Sequence, residues 1–312
     1  MNEYIIERVT PGHYHLLKDL YLDAFNIRID ESGIQKRFDT SELGCDHIGY
    51  IAICSETGTA AAYYGVFPMK AISSENILQI AQSGDTMTHS SHLKKGLFTA
   101  LAKYTYAECE RCGIKVIIGQ PNEKSYHGLV KSLGWTHLDE IIRWDLKLKF
   151  KTFPLAKIVR HTRLFNTLYL RYARYILRKN IVIAPPEFNN SIKTDYVKIC
   201  RDRSYLKYKE SGNKFFLKVK GVTFWVSLSD VFWIGDIDYY EKISPLFIKR
   251  IKNIIFLLGY NTISFNLNKS IPLPGGLGSF KKAREESSCF YYIDKHLEGK
   301  NFLLTAADFD TW

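Results

Sequence analysis

"QSGDTMTHSSHLKKGLFTAL", residues 82–101, decides how the first half of this chain folds. It enters as the end of an apolar strand pattern, "NILQIAQSGD" (76–85), turns through a polar corner carrying Lys94, Lys95 and Gly96, and resumes with Leu97, Phe98, Leu101, Ala102, Thr105 and Cys109 at helical spacing. A strand that passes through a lysine-flanked glycine into a helix has two readings. It is an ordinary connection, or it seats a phosphate, because the first N–H groups of a helix have no intrahelical partner and attract anions.

Upstream, "HIGYIAIC" (47–54), "TAAAYYGVFPMKAI" (59–72) and 76–85 are three strand candidates separated by turn residues, which predicts an antiparallel meander. Before them stand "YIIERV" (4–9), a proline-glycine break, and Leu16, Leu17, Leu20, Tyr21 and Phe25 at helical spacing. Downstream, the helix ends at Gly113 and "IKVIIGQPN" (114–122) has the continuous apolarity of a buried parallel strand. A short helix up to Gly134 and the strand run "WTHLDEIIRWDLKLKF" (135–150) follow. The expected order is β-α-β-β-β-α-β-α-β, an α/β fold on a mixed sheet.

A chain of 312 residues exceeds what one core usually supports, so two domains are expected. With 46% hydrophobic, 24% charged and 14% aromatic residues it is globular rather than disordered. The sequence has no apolar run of membrane-spanning length and no basic-then-apolar start, so a cytoplasmic protein is expected. Its six cysteines form neither a disulfide framework nor a zinc pattern, and Cys109 and Cys112 read as a helix face near its end. No metal site is expected.

The net charge of +11 concentrates in residues 147–179, which hold ten Lys or Arg and no acid. Such a stretch favours polyanionic partners: a phosphorylated cofactor, a nucleotide, nucleic acid or an anionic membrane surface. Leu155, Val159, Phe165, Leu168, Tyr172 and Ile176 recur among its arginines, which predicts a basic amphipathic helical segment. It serves either as a linker over 151–180 or as a peripheral membrane contact. A second unit over 181–312 then reads as strands at 194–199, 214–238 and 261–268, helices at 202–211 and 244–258, and terminal strands from 287 onward. "PGGLGSFKK" (274–282) has no strand-then-helix setting and reads as a plain loop.

The passage 84–101 resembles the acyl-coenzyme A site of the GNAT acyltransferases, whose loop Q/R-x-x-G-x-G/A falls on Leu93, Lys94, Lys95, Gly96, Leu97 and Phe98. Gly96 matches the central glycine, while Leu93 and Phe98 depart from the pattern. Asn122 and the pair Gly134–Trp135 resemble the family's asparagine after the fifth strand and its terminal G-F/W. The resemblance covers roughly residues 1–150 and implies a GNAT domain with splayed fourth and fifth strands, then a degenerate GNAT-like unit over 181–312 completing the acceptor cleft. The ending "NFLLTAADFDTW" resembles tails of two-unit GNAT proteins of bacterial surface-polysaccharide synthesis, with Ala307 where glycine is usual.

What the resemblance implies is direct acyl transfer from an acyl-CoA co-substrate to the amine of a nucleotide-linked amino sugar, with no nucleic-acid partner. Thr86, Met87, Lys94, Lys95, Gly96, Leu97, Phe98, Thr99 and Asn122 are the implied cofactor-binding residues. Val130 occupies the place of the family's usual acidic tyrosine, so Tyr126, one turn earlier, or His127 is the substitute. Asp85 is the candidate base at the strand end, and its other reading is a turn cap. His89 and His92 stand beside it, and deprotonation by water needs no residue. Asp308 and Asp310 in the tail are either near the acceptor or merely solvated. Two other functions remain open: a peptidoglycan-type aminoacyltransferase using charged tRNA, and a CoA-binding or membrane-peripheral module that has lost catalysis.

Overall fold

The computed structural model describes residues 3–73, 76–148, 163–185, 188 and 196–309. In chain order the first elements are β1 (Tyr4–Arg8), α1 (Tyr14–Phe25), α2 (Glu31–Phe38), β2 (Ile48–Cys54), β3 (Ala60–Ser73), β4 (Asn76–Thr88), α3 (Leu97–Arg111), β5 (Val116–Gly119), α4 (Glu123–His127) and β6 (Thr136–Lys147). Next come α5 (Arg163–Leu177), β7 (Ile181–Val182), β8 (Val197–Ile199), α6 (Arg203–Tyr208), β9 (Lys214–Val219), β10 (Val222–Leu228) and β11 (Phe232–Ile237). The chain closes with α7 (Pro245–Leu257), β12 (Thr262–Asn268), β13 (Lys281–Tyr292) and β14 (Phe302–Leu303). The fold is mixed α/β, as expected, with one added helix, α2.

The chain forms two compact units, and neither is continuous in sequence. The first comprises residues 1–138, 197–200 and 287–301, the second 139–196, 201–286 and 302–312. This division runs differently from boundaries at 150 and 181, because strands pair outside their own half of the chain.

In the first unit β1, β2, β3 and β4 form the antiparallel meander. β4 then pairs parallel with β5, and β5 pairs antiparallel with β13, Gly119 opposite Cys289 and Val116 opposite Tyr292. β3 is buried along Ala60–Met69, so it reads as a continuous apolar run, and its side chains still alternate between two cores. Tyr64 and Val66 pack with Leu97, Leu101, Ala102 and Cys109 of α3. Tyr63 and Phe67 pack with Leu17, Leu20 and Tyr21 of α1 and Ile34 and Phe38 of α2. Each fully buried leucine here contributes about 1.5–3 kcal/mol of transfer free energy.

The second unit repeats the local plan. β7, β9, β10 and β11 run antiparallel, α7 carries the chain to a parallel pairing of β11 with β12, and β12 pairs antiparallel with β6. The β9–β10 turn uses Lys220 at φ +51° and Gly221 at φ +83°, the left-handed pair that a two-residue hairpin requires. α7 starts where Ser244 Oγ accepts from Phe247 N at 3.2 Å and stops before Gly259 at φ +76°. Tyr169, Ala173 and Leu177 of α5 are buried in this unit's core, so the described part of the basic stretch is an integral helix of the second unit. Residues 149–162 of that stretch lie outside the described residues. No helix among the described residues is long and apolar enough to cross a membrane.

Candidate active site

β4 and β5 pair at only two positions, Ala81 with Ile117 and Gln82 with Ile118. β4 nevertheless continues to Thr88 while β5 ends at Gly119. On that side Ser83–Thr88 has no partner strand among the described residues, leaving backbone donors and acceptors available to a ligand. Gly119 is small for a packing reason: a Cβ there would lie 2.9 Å from the Trp135 ring.

Along the same segment β4 bulges. Tyr63 pairs with Met87 but Gly65 with Gly84, so two residues of β4 oppose Tyr64. Asp85 absorbs the extra residue at φ +54°, a left-handed conformation uncommon outside glycine and tolerated by Asp.

The polar corner after β4 is held from three sides. Asp23 accepts from Ser90 N (2.7 Å) and Ser90 Oγ (2.8 Å), His92 Nδ1 lies 3.0 Å from the Tyr4 hydroxyl, and Lys95 Nζ reaches Glu3 at 3.1 Å. Lys94 (φ +62°) and Gly96 (φ +75°) are both left-handed, and Gly96 is the N-cap of α3 with no side-chain cap. The first intrahelical bond runs from Ala100 N to Gly96 O at 3.1 Å, so the N–H groups of Leu97, Phe98 and Thr99 have no partner within the helix. These three N–H groups end a 15-residue helix whose dipole is positive there. A Cβ on Gly96 would meet nothing within 4 Å, so backbone conformation rather than crowding calls for glycine.

The predicted site residues separate into several groups. Lys94, Lys95 and Gly96 are exposed at the helix start, and Thr86 and Thr99 are half-buried. Leu97 and Met87 bury their side chains in the two cores, so only their backbones are available to a ligand. Phe98, which replaces a small residue, turns inward: its ring meets Tyr64 edge-on at 5.3 Å and lies against Gly128, whose Cβ position is 3.2 Å from it. Asn122 caps α4, its Oδ1 accepting from Ser125 N at 3.0 Å. Tyr126 is half-buried with its ring 6.1 Å from His137, and His127 is exposed.

Asp85 departs from the expectation of a base. Its carboxylate accepts from the Tyr21 hydroxyl at 2.6 Å, from Arg37 Nη2 at 2.7 Å and from Arg37 Nε. Taking a proton from a substrate would mean giving up this bidentate ion pair. Arg37 also lies over the Phe67 ring at 5.2 Å. Burial, and next the charge of Asp85, push the Tyr21 hydroxyl well above its ordinary range.

Sequence reasoning missed Arg37 and Tyr21, and a second pair in the same core. His47 Nε2 lies 2.7 Å from the Tyr63 hydroxyl, and Phe38 stacks on the His47 ring at 3.8 Å. Burial pulls the imidazole down to about 3, so it is neutral.

The tail carboxylate Asp308 is neither solvated nor in the first unit. It is fully buried in the second, accepting from Arg201 Nε at 3.2 Å and Thr305 N at 2.7 Å. Tyr205 donates to Ala307 O at 2.9 Å and Lys209 to Phe309 O at 2.6 Å, so the "TAADF" motif is a locked structural turn. Asp310 lies outside the described residues.

Residues 6–138 match the family model described as acetyltransferase (GNAT) domain. No curated protein matches the sequence. Among solved structures, the chain is similar to a GCN5-related N-acetyltransferase from Kribbella flavida, at 10% identity and TM-score 0.59, covering 94% of this chain and 72% of that one. A GCN5-related N-acetyltransferase from Anabaena variabilis is similar at 12% identity and TM-score 0.55, with coverages of 95% and 75%. A GCN5-related glucosamine N-acetyltransferase region of a fungal multi-domain β-N-acetylglucosaminidase is similar at 10% identity and TM-score 0.52, covering 92% of this chain and 38% of that one. At these identities the structures speak for the fold. The GNAT domain matched over residues 6–138 supports an N-acyltransferase, and domains of this kind use acyl-CoA.

Proposed function

We propose that the protein transfers an acyl group from acyl-CoA directly to the amine of a nucleotide-linked amino sugar, in the synthesis of a surface polysaccharide. The observation that carries the acyl-CoA part is the uncapped start of α3, three unpartnered N–H groups beside Lys94 and Lys95, standing next to the unpaired edge of β4. Those N–H groups suit a pyrophosphate, and the β4 edge suits a pantetheine arm. The acceptor rests on the resemblance of the tail and on the fold shared with a glucosamine N-acetyltransferase region.

In this reading the thioester supplies the acyl group, the amine attacks its carbonyl carbon, and the C–S bond breaks to leave thiolate and an amide. A main-chain N–H of the β4 edge meets the oxyanion. Tyr126, or His127 beside it, returns a proton to the thiolate. Asp85 holds the β4 bulge through Arg37 and Tyr21, and the proton of the substrate ammonium passes to water. The second unit, a degenerate GNAT-like unit, serves the acceptor.

Thiol release from acetyl-CoA, followed with UDP- and dTDP-linked amino sugars, tests the proposal. Release with such a sugar and none with the matching hydroxyl sugar is the expected result. CoA binding without release to any amine would instead mark a module that has lost catalysis, and Val130 at the usual acid's place favours that second reading. Peripheral contact with an anionic membrane through 147–179 is also proposed, favoured by Phe165, Leu168 and Tyr175 standing exposed on α5 among its arginines.

A further inference from the structure

The second unit contains a cavity of about 1320 Å³ that the acyl-transfer reading does not use. Three parts of the unit wall it: the end of β6 with Leu148 just after it, one flank of α7, and the glycine loop 275–280 with the start of β13. The loop is seated closely, since a Cβ on Gly276 would fall 2.3 Å from Ile243 O. The glycine-rich "PGGLGSFKK", which read as a plain connection, is therefore a wall of this cavity.

Its chemistry is two-sided. Leu146, Leu148, Ile243 and Ile248 give an aliphatic floor, and five lysines, Lys147, Lys249, Lys252, Lys281 and Lys282, stand around it. Lys282 is paired with Glu285. Among the described residues the other four make no ion pair with an acid. The one carboxylate in the lining, Asp145, is occupied by Arg143 Nε at 2.9 Å and Ser264 Oγ at 2.7 Å. Neutral polar side chains number only Asn253 and Ser279, too few to read a nucleobase edge and a ribose. Beyond the floor α7 presents Phe256 and Leu257, 51% and 52% exposed.

We infer that this cavity binds a phosphate-bearing lipid, with the phosphate among Lys147, Lys249, Lys252 and Lys281 and the chain along the floor toward Phe256. The inference stands independently of the acyl-transfer reading. An unpaired lysine cluster gains by meeting phosphate, and an aliphatic floor of this extent gains by covering a chain.

Calorimetry on the full chain tests it with monomeric dihexanoyl phosphatidic acid as probe, against dihexanoyl phosphatidylcholine and inorganic pyrophosphate. Phosphatidic acid is expected to bind about tenfold or more tighter than either comparator, and more weakly as salt is raised. The double substitution Lys249→Glu, Lys252→Glu should weaken it by about tenfold or more, at unchanged thermal unfolding. Protection of those two lysines from acetylation by an amine-reactive ester gives a readout on the unmutated protein. Pyrophosphate binding as well as the lipid, phosphatidylcholine matching it, or a double variant binding like the parent would each overturn the inference.

Discussion

Replacing Gly96 by aspartate should separate ligand binding from stability at the start of α3. Gly96 holds φ +75° with open space around its Cβ position, so the substitution meets strain and no clash. A left-handed non-glycine residue costs about 1 kcal/mol, and Asp is among the residues that tolerate it. A carboxylate at the N-cap recovers about 1 kcal/mol by accepting from a free N–H and facing the helix dipole. The net change in stability is therefore close to zero. The pyrophosphate of CoA, by contrast, would lose its seat. Charge-assisted hydrogen bonds contribute about 1.5–3 kcal/mol each, so losing two of the three donors costs about 3 kcal/mol or more, a factor on the order of a hundred. Calorimetric titration with CoA and with pantetheine, alongside thermal unfolding, reads both effects. CoA should weaken about a hundredfold, pantetheine little, and Gly96→Ala should keep most of the affinity at a stability cost of about 1 kcal/mol. If Gly96→Asp unfolds at the parental temperature and binds CoA within about threefold of the parent, α3 does not hold the diphosphate.

Two further outcomes follow from the polar groups beneath α1 and α2. His47 is held near 3 against about 6.5 in an unfolded chain, so the unfolded state binds the extra proton between those values. Its contribution is complete above the unfolded value and is lost as pH falls, at about 1.4 kcal/mol per unit, or about 3 kcal/mol between pH 7 and pH 4. Urea unfolding of the parent and of His47→Gln should show their stability difference shrinking by that amount over this range, and a constant difference would contradict the neutral buried imidazole. Arg37→Ala leaves the 9%-exposed Asp85 carboxylate without its counter-charge and should cost about 2–4 kcal/mol, with Arg37→Ala, Asp85→Asn together costing less than the sum. Strict additivity in denaturant titrations would mean that the pair is not coupled.

The corner at residues 82–101 was legible because its signals are local: a strand period, two lysines, a glycine and a helix period within one stretch. The meander before it was legible for the same reason. What escaped is α2, eight residues long, whose helical pattern is only Ile34 and Phe38 four apart behind an Asp30 cap on Gly33 N. With α2 unread, Arg37 had no position, and Asp85 looked like an unoccupied carboxylate at a strand end. Its partners stand 48 and 64 positions away, at Arg37 and Tyr21, and no spacing rule links them.

The unit boundaries escaped for a related reason. Within the run 135–150, Thr136–Lys147 is strand as expected, but strand character does not name the neighbour, and Arg143 meets Ser264 across 121 positions. β6 completes the sheet of the second unit beside β12, while β13 completes that of the first beside β5. Both fill the same place in the local plan, outside a parallel pair joined by a helix. Either unit cut at residue 150 would lack the strand that covers its last parallel strand, exposing an unpaired edge that carries buried apolar residues, Val116–Ile118 in one case and Ile263, Phe265 and Leu267 in the other. The sequence continuity of the GNAT match, residues 6–138, therefore does not make that segment an independent folding unit: its strand β5 is paired on one side by residues 289–292. The unpaired edge of β4 depends on β5 being held at Ala81 and Gln82, and β5 is held from its other side by β13. The geometry of the candidate site thus depends on the far end of the chain, which is why catalysis and CoA binding should be measured on the whole protein.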